Sequence, residues 1–97
     1  MFNKIKAIQQ LKNQANQIKK MLAEEKIEGS GGWGKVKIFM DGNQEVLSVE
    51  IAQEIVGDKV KLEAGIKEAA NDAIKKVQRV MAQKMSQLDG INLPGLK

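Results

Sequence analysis

The stretch Gly34-Lys35-Val36-Lys37-Ile38-Phe39-Met40-Asp41-Gly42-Asn43-Gln44-Glu45-Val46-Leu47-Ser48-Val49-Glu50-Ile51 decides how this chain folds. Val36, Ile38 and Met40 alternate with Lys35, Lys37 and Phe39, the two-residue period of a half-buried strand. Asp41-Gly42 has the chemistry of a hairpin turn, and Leu47, Val49 and Ile51 alternate with Val46, Ser48 and Glu50 on the return. A short strand at Lys26–Gly29 would complete three antiparallel strands. Gly29-Ser30-Gly31-Gly32, with Gly34 close behind, reads as a turn or loop. Trp33 stands among those glycines without a packing partner in sequence. It either packs on the sheet, the commoner outcome, or stays exposed and meets a partner.

Helical periods flank this sheet on both sides. Over residues 4–25, Ile8, Leu11, Ala15, Ile18 and Leu22 step by three and four, which places them on one stripe suited to a helix–helix seam. Between them lie Gln9, Gln10, Asn13, Gln14, Asn16 and Gln17, amides that solvate a face and can donate to phosphate oxygens. Asp58 is a candidate N-cap for a second helix. From there Leu62, Ile66, Ala69, Ala70, Ala73, Val77, Val80, Met81, Met85 and Leu88 form a broad stripe up to Gly90. Gly65 inside it costs roughly 1 kcal/mol relative to Ala. Residues 91–97, with Pro94, cannot extend the helix and are expected to form a loose tail, leaving 1–90 as one domain. The fold class expected is α+β: helix, short three-stranded antiparallel sheet, long helix.

A chain of 97 residues with three aromatic side chains (Phe2, Trp33, Phe39) has a modest core, so a subunit interface is expected to contribute burial. Cysteine and histidine are absent, which excludes disulfides, thiolate or imidazole metal sites, and His- or Cys-based nucleophilic triads. Glu24, Glu25 and Glu28 are close together, yet nothing in the sequence buries them and splits their pKa values as acid/base chemistry requires. The glycine run lacks the Gly-Lys-Ser/Thr ending of a phosphate-binding loop and precedes a strand. An enzyme is not expected, nor a cofactor. No apolar run has signal-peptide or membrane-span character, so a soluble cytoplasmic protein is expected.

The net charge of +4 is mild, but its distribution is segregated. Residues 1–23 carry Lys4, Lys6, Lys12, Lys19 and Lys20 with no acid, and residues 73–88 carry Lys75, Lys76, Arg79 and Lys84 with no acid. Residues 24–72 hold 6 basic and 11 acidic side chains. Segregation of this kind marks an electrostatic partner. At 100° per residue, Lys75, Lys76 and Arg79 share an arc of about 100°, roughly opposite the Ile66/Ala70/Ala73/Val77 stripe. Gln83 and Ser86 continue that arc, while Asp72 is placed to pair with Lys75 or Lys76. Lys84 projects onto the apolar side, so either that side has left the core by then or the lysine snorkels from an interface. On the opening helix Lys12 and Lys19 flank the apolar stripe, and Lys6 and Lys20 lie further out. Duplex DNA bound through its backbone suits two such helices per chain. Too few aromatics are present for a base-stacking, single-strand platform.

These features together resemble the YbaB/EbfC family of bacterial nucleoid-associated proteins. The carriers are Ile8-Gln9-Gln10-Leu11-Lys12, then Glu28-Gly29-Ser30-Gly31-Gly32 leading into Gly34-Lys35-Val36-Lys37, and Gly42 before Glu45-Val46-Leu47-Ser48-Val49-Glu50-Ile51. Ala70-Asn71-Asp72-Ala73 with Lys75-Lys76, then Lys84-Met85 and Leu93-Pro94-Gly95-Leu96, complete the set. The resemblance implies a homodimer in which the sheets of two chains join and the helices project as paired, tweezer-like arms. It also implies nucleoid-associated binding of duplex DNA with limited sequence preference, room for a regulatory role, and links to recombination or replication proteins. Two departures stand out: Trp33 replaces a usual small residue, and Ile51-Ala52-Gln53 replaces a usual Ile-Asp-Pro. The family has no short DNA-contact motif to transfer, so the DNA-binding set Lys6, Lys12, Lys19, Lys20, Lys75, Lys76, Arg79 and Lys84 rests on charge and helical phase. A dimeric adaptor that grips a partner protein is the competing reading. A membrane-surface helix fits poorly, because the opening helix carries few bulky apolar residues.

Overall fold

The computed structural model describes residues 2–88. Its elements are α1 (Phe2–Ala23), β1 (Ile27–Gly31), β2 (Val36–Met40), β3 (Val46–Ile51) and α2 (Lys59–Leu88), with a 3-10 turn at Gln53–Ile55. The strands form one antiparallel sheet in the order β1-β2-β3. Gly29 stands opposite Ile38 in one pair, and Ile38 opposite Val49 in the other, with a bulge at Phe39/Met40. The expected alternation holds on β2, where Val36, Ile38 and Met40 are buried and join Ile27, Ile55, Ala69, Ala73 and Val77 in the core.

β1 begins one residue later than expected and continues through Gly31, so Gly29-Ser30-Gly31 is strand and not turn. The reason is the helix above it. A Cβ on Gly29 would lie 2.4 Å from the Ala69 carbonyl oxygen and 2.4 Å from the Ala73 nitrogen. One on Gly31 would lie 2.3 Å from the Gly65 carbonyl oxygen. From the helix side, a Cβ on Gly65 would meet Val36 Cγ2 at 2.8 Å. Glycine within a strand marks such a close backbone approach. Gly65, Ala69 and Ala73, four residues apart, form the matching line on α2, so the helical cost of Gly65 is offset by contact with the sheet. The buried line of α2 is therefore Gly65, Ala69, Ala73 and Val77. Ile66, expected within the core stripe, is left 39% exposed on its flank.

Both hairpins depart from the simplest expectation. Gly32, Trp33 and Gly34 take positive φ values of 58°, 61° and 82° in succession. Trp33 is fully exposed, so the packing expected of it on the sheet does not occur. Its place at the tip of the turn, beyond the last strand pair Gly31–Val36, lifts it off the core. In the second hairpin Asp41 Oδ1 accepts the N–H groups of Asn43 (2.8 Å) and Glu45 (3.0 Å). The left-handed residue there is Gln44, at φ 64°. Gly42 serves another purpose: its N–H donates to the Leu22 carbonyl (2.7 Å), and a Cβ there would meet Leu22 Cβ at 2.8 Å. Asn43 Nδ2 adds a bond to the Lys19 carbonyl (2.9 Å). This fastens the C-terminal end of α1 to the sheet, while Ile8 and Leu11 of its apolar stripe remain exposed.

Asp58 caps α2 as expected, its Oδ1 accepting the Lys61 N–H at 3.1 Å. The returning strand is where the single chain falls short of the half-buried pattern. Every residue of β3 is exposed, Val49 by 48% and Ile51 by 40%. α2 packs over β1 and β2, where the glycine–alanine seam holds it. The expected tail lies outside the described residues.

Gly29→Ala is expected to destabilise the fold by about 1–3 kcal/mol, since a methyl group must push helix backbone off the strand. Gly57→Ala meets nothing within 4 Å and should be neutral or stabilising by about 0.4–1 kcal/mol. Denaturant melts of the two variants check the contrast.

Candidate nucleic-acid interface

α2 is 30 residues long, about 45 Å at 1.5 Å per residue. Its side chains packed with the core run from Leu62 to Met81. Lys75, Arg79, Gln83 and Ser86 are all exposed on it, as the helical phase requires once Ala69, Ala73 and Val77 face inward. Lys75 and Arg79 form no ion pair among the described residues. Lys76 differs from them: its Nζ lies 2.9 Å from Asp72 Oδ2 and donates to the Glu28 carbonyl at 3.1 Å.

On α1, Lys6, Lys12, Lys19 and Lys20 are exposed and form no ion pair among the described residues. The amide side chains between them enlarge a surface of donors. Lys84 is half-buried and pairs with Glu25 at 3.2 Å. Its projection onto the apolar side of α2 thus brings it back to the chain that follows α1. Six of the eight residues assigned to DNA binding stand open on the two helices, and two are engaged within the chain.

Elsewhere the charges cancel locally. Lys37 lies 4.0 Å from Glu28 on the outer face of the sheet, and Lys26 covers the Phe39 ring at 4.9 Å. Near Trp33, Lys35 pairs with Glu54 at 2.9 Å. The lysines and arginine without a carboxylate partner thus stand mostly on the helices. Among the described residues no group of side chains is arranged to hold a metal, and no helix is long and apolar enough to cross a membrane.

Asp72 does more than pair with a lysine. Its Oδ2 accepts the Ser30 backbone N–H at 3.0 Å, joining α2 to the outer edge of β1. The Ser30 N–H first, and then Lys76, hold its carboxyl below the usual carboxylate range. The spacing of Asp72 and Lys76 announces their pairing, but the bonds across to β1 span 42 and 48 residues and leave no sequence signal.

The sequence matches the profile of the YbaB/EbfC DNA-binding family over residues 1–91. A nucleoid-associated protein of Syntrophobacter fumaroxidans is 35% identical, the match covering 99% of this chain and 90% of that one. A nucleoid-associated protein of Bacillus licheniformis is 40% identical over 77% of this chain and 73% of its own length. The fold is that of an uncharacterized protein from Helicobacter pylori, whose crystal structure superposes with a TM-score of 0.68 at 18% identity, covering 84% of this chain and 98% of that chain.

Because the Asp72 carboxyl binds its proton less tightly in the fold than in the unfolded chain, the pair adds stability above the ordinary carboxylate pKa, about 4. That stability is lost as pH falls through the lowered folded value. Thermal melts should show wild type ahead of Asp72→Asn from pH 5 to 7, with the gap closing in more acidic solution.

Proposed function

The chain belongs to the YbaB/EbfC DNA-binding family, and from that premise we propose that it is a nucleoid protein that binds duplex DNA as a homodimer, mainly through phosphate contacts. Limited sequence preference and a regulatory use follow from that mode of binding. The observation that carries this reading is the exposure of Lys6, Lys12, Lys19, Lys20, Lys75 and Arg79 on two helices, none of them in an ion pair among the described residues, while the sheet lysine Lys37 is paired with Glu28. Lysine and arginine on a helix surface displace counterions from DNA without reading base edges. Lys76 and Lys84 already hold anions or carbonyls of their own chain and contribute less.

The second copy is assigned to β3. In an antiparallel ladder each residue directs both backbone groups to the same side. Lys35 accepts the Ala52 N–H at 2.8 Å, and Glu50 and Ser48 stand opposite Lys37 and Phe39. Val49 and Ile51 therefore turn their N–H and C=O groups outward, and their half-exposed side chains would be covered when a second β3 pairs there. The basic helices are then duplicated about a two-fold axis, as arms on either side of a duplex.

Light scattering should give about twice the 10.7 kDa chain mass. Val49→Lys places like charges across the two-fold pair and should yield a monomer.

DNA affinity should fall with salt at a log–log slope of about −0.9 per neutralised phosphate and change little when the DNA sequence is scrambled. Lys75→Gln with Arg79→Gln, and separately Lys6→Gln with Lys12→Gln and Lys20→Gln, should each flatten that slope in anisotropy titrations. Folded dimers with wild-type affinity and slope in both variants would overturn the DNA reading. The function would then pass to the protein-binding adaptor, with recombination or replication proteins as its partners.

A further inference from the structure

The sheet has two edges, and they are finished differently. On β1 the odd residues Ile27, Gly29 and Gly31 stand opposite Met40, Ile38 and Val36. The outward backbone groups of this strand are those of Glu28 and Ser30, and both residues are engaged by α2. The Ser30 N–H donates to Asp72 Oδ2 at 3.0 Å, and Lys76 Nζ donates to the Glu28 carbonyl at 3.1 Å. Asp72 and Lys76 are themselves joined at 2.9 Å. A neighbouring antiparallel strand would exchange both bonds with each of these residues, among them a carbonyl offered to the Ser30 N–H and an N–H offered to the Glu28 carbonyl. The carboxylate and the ammonium take the places of those two groups. At the β3 edge, by contrast, no side-chain hydrogen bond among the described residues reaches Leu47, Val49 or Ile51.

We propose that Asp72 and Lys76 close the β1 edge to any further strand, so that sheet-to-sheet joining between copies of this chain can use only the β3 edge. This inference rests on the homodimer reading above for its consequence: with one edge closed, joining stops at two copies, whereas two open edges would allow an unending ribbon. The seam makes the closure possible. Gly29 and Gly31 bring the α2 backbone against β1, and only then can side chains as short as Asp72 reach over the edge. Lys76 is in this account a residue of assembly, and its positive charge is directed at Glu28 and Asp72 and not at a phosphate.

The test uses the full chain carrying Asp72→Ala and Lys76→Met, which leaves the net charge unchanged and keeps an aliphatic stem on α2. Circular dichroism reports folding, and sedimentation velocity across a concentration series reports mass. The expected result is a folded protein whose mass is at least double that of wild type and rises with concentration. Adding Ser30→Pro, which removes the freed N–H from an edge where proline is tolerated, should return the mass to the wild-type value. A folded double variant with wild-type mass overturns the proposal, and so does a larger mass that Ser30→Pro leaves untouched. Should the double variant not fold, Lys76→Met alone, which bares the Glu28 carbonyl while Asp72 still holds Ser30, is read in the same way. The wild-type mass separates the two ideas: a monomeric wild type that associates once the β1 edge is bared would keep the edge closure and discard the β3 dimer.

Discussion

The contact on which the rest of the molecule depends is the close approach of α2 to β1, glycine against glycine and alanine. Gly29 and Gly31 have no room for a Cβ, and Gly65, Ala69 and Ala73 present the smallest side chains at the point of crossing. Interiors are packed densely enough that one added methyl group is felt. The seam decides where the helix lies: over β1 and β2, with its larger residues displaced to the flank. From that placement follow the buried core, the engagement of Ser30 and Glu28 by α2, and the uncovered face of β3.

The same placement sorts the charge. The lysines of β2 and of the turn before it are partnered within the chain, Lys35 with Glu54 and Lys37 with Glu28. The open cations are carried out on α2 and on α1, which is held to the sheet by Leu22, Gly42 and Asn43 at one end. A compact paired centre with basic helices extending from it concentrates positive potential where a long polyanion can meet it. Trp33 stands apart from this surface, at a left-handed backbone position that a bulky residue seldom adopts. Its full exposure at the hairpin tip places an apolar ring where the surrounding charges are balanced.

How much of this was legible beforehand depended on whether the signal was local. The alternation of Val36, Ile38 and Met40, the capping residue Asp58 and the acid-free segments 1–23 and 73–88 are properties of neighbouring residues, and these located the strands, the start of α2 and the basic surface. The glycines misled for a physical reason. A glycine that relieves a positive φ and a glycine that admits another backbone look alike in sequence, so Gly29 and Gly31 read as a turn and Gly42 as hairpin chemistry. A repeat of small residues at Gly65, Ala69 and Ala73, four apart, was the available hint.

By itself, then, the sequence determined the element order, the fold class, the family and the segregation of charge, because each depends on periodicity or composition along the chain. Which face of α2 is buried, which lysines are open and which are held, and which sheet edge is closed were decided only in the tertiary structure. Those outcomes turn on separations of a few ångströms between residues 29 to 48 positions apart. Lys75 and Lys76 are neighbours in sequence and equal in charge. One degree of freedom, the rotation of the helix set by the alanine seam, leaves the first in solvent and brings the second onto the Glu28 carbonyl.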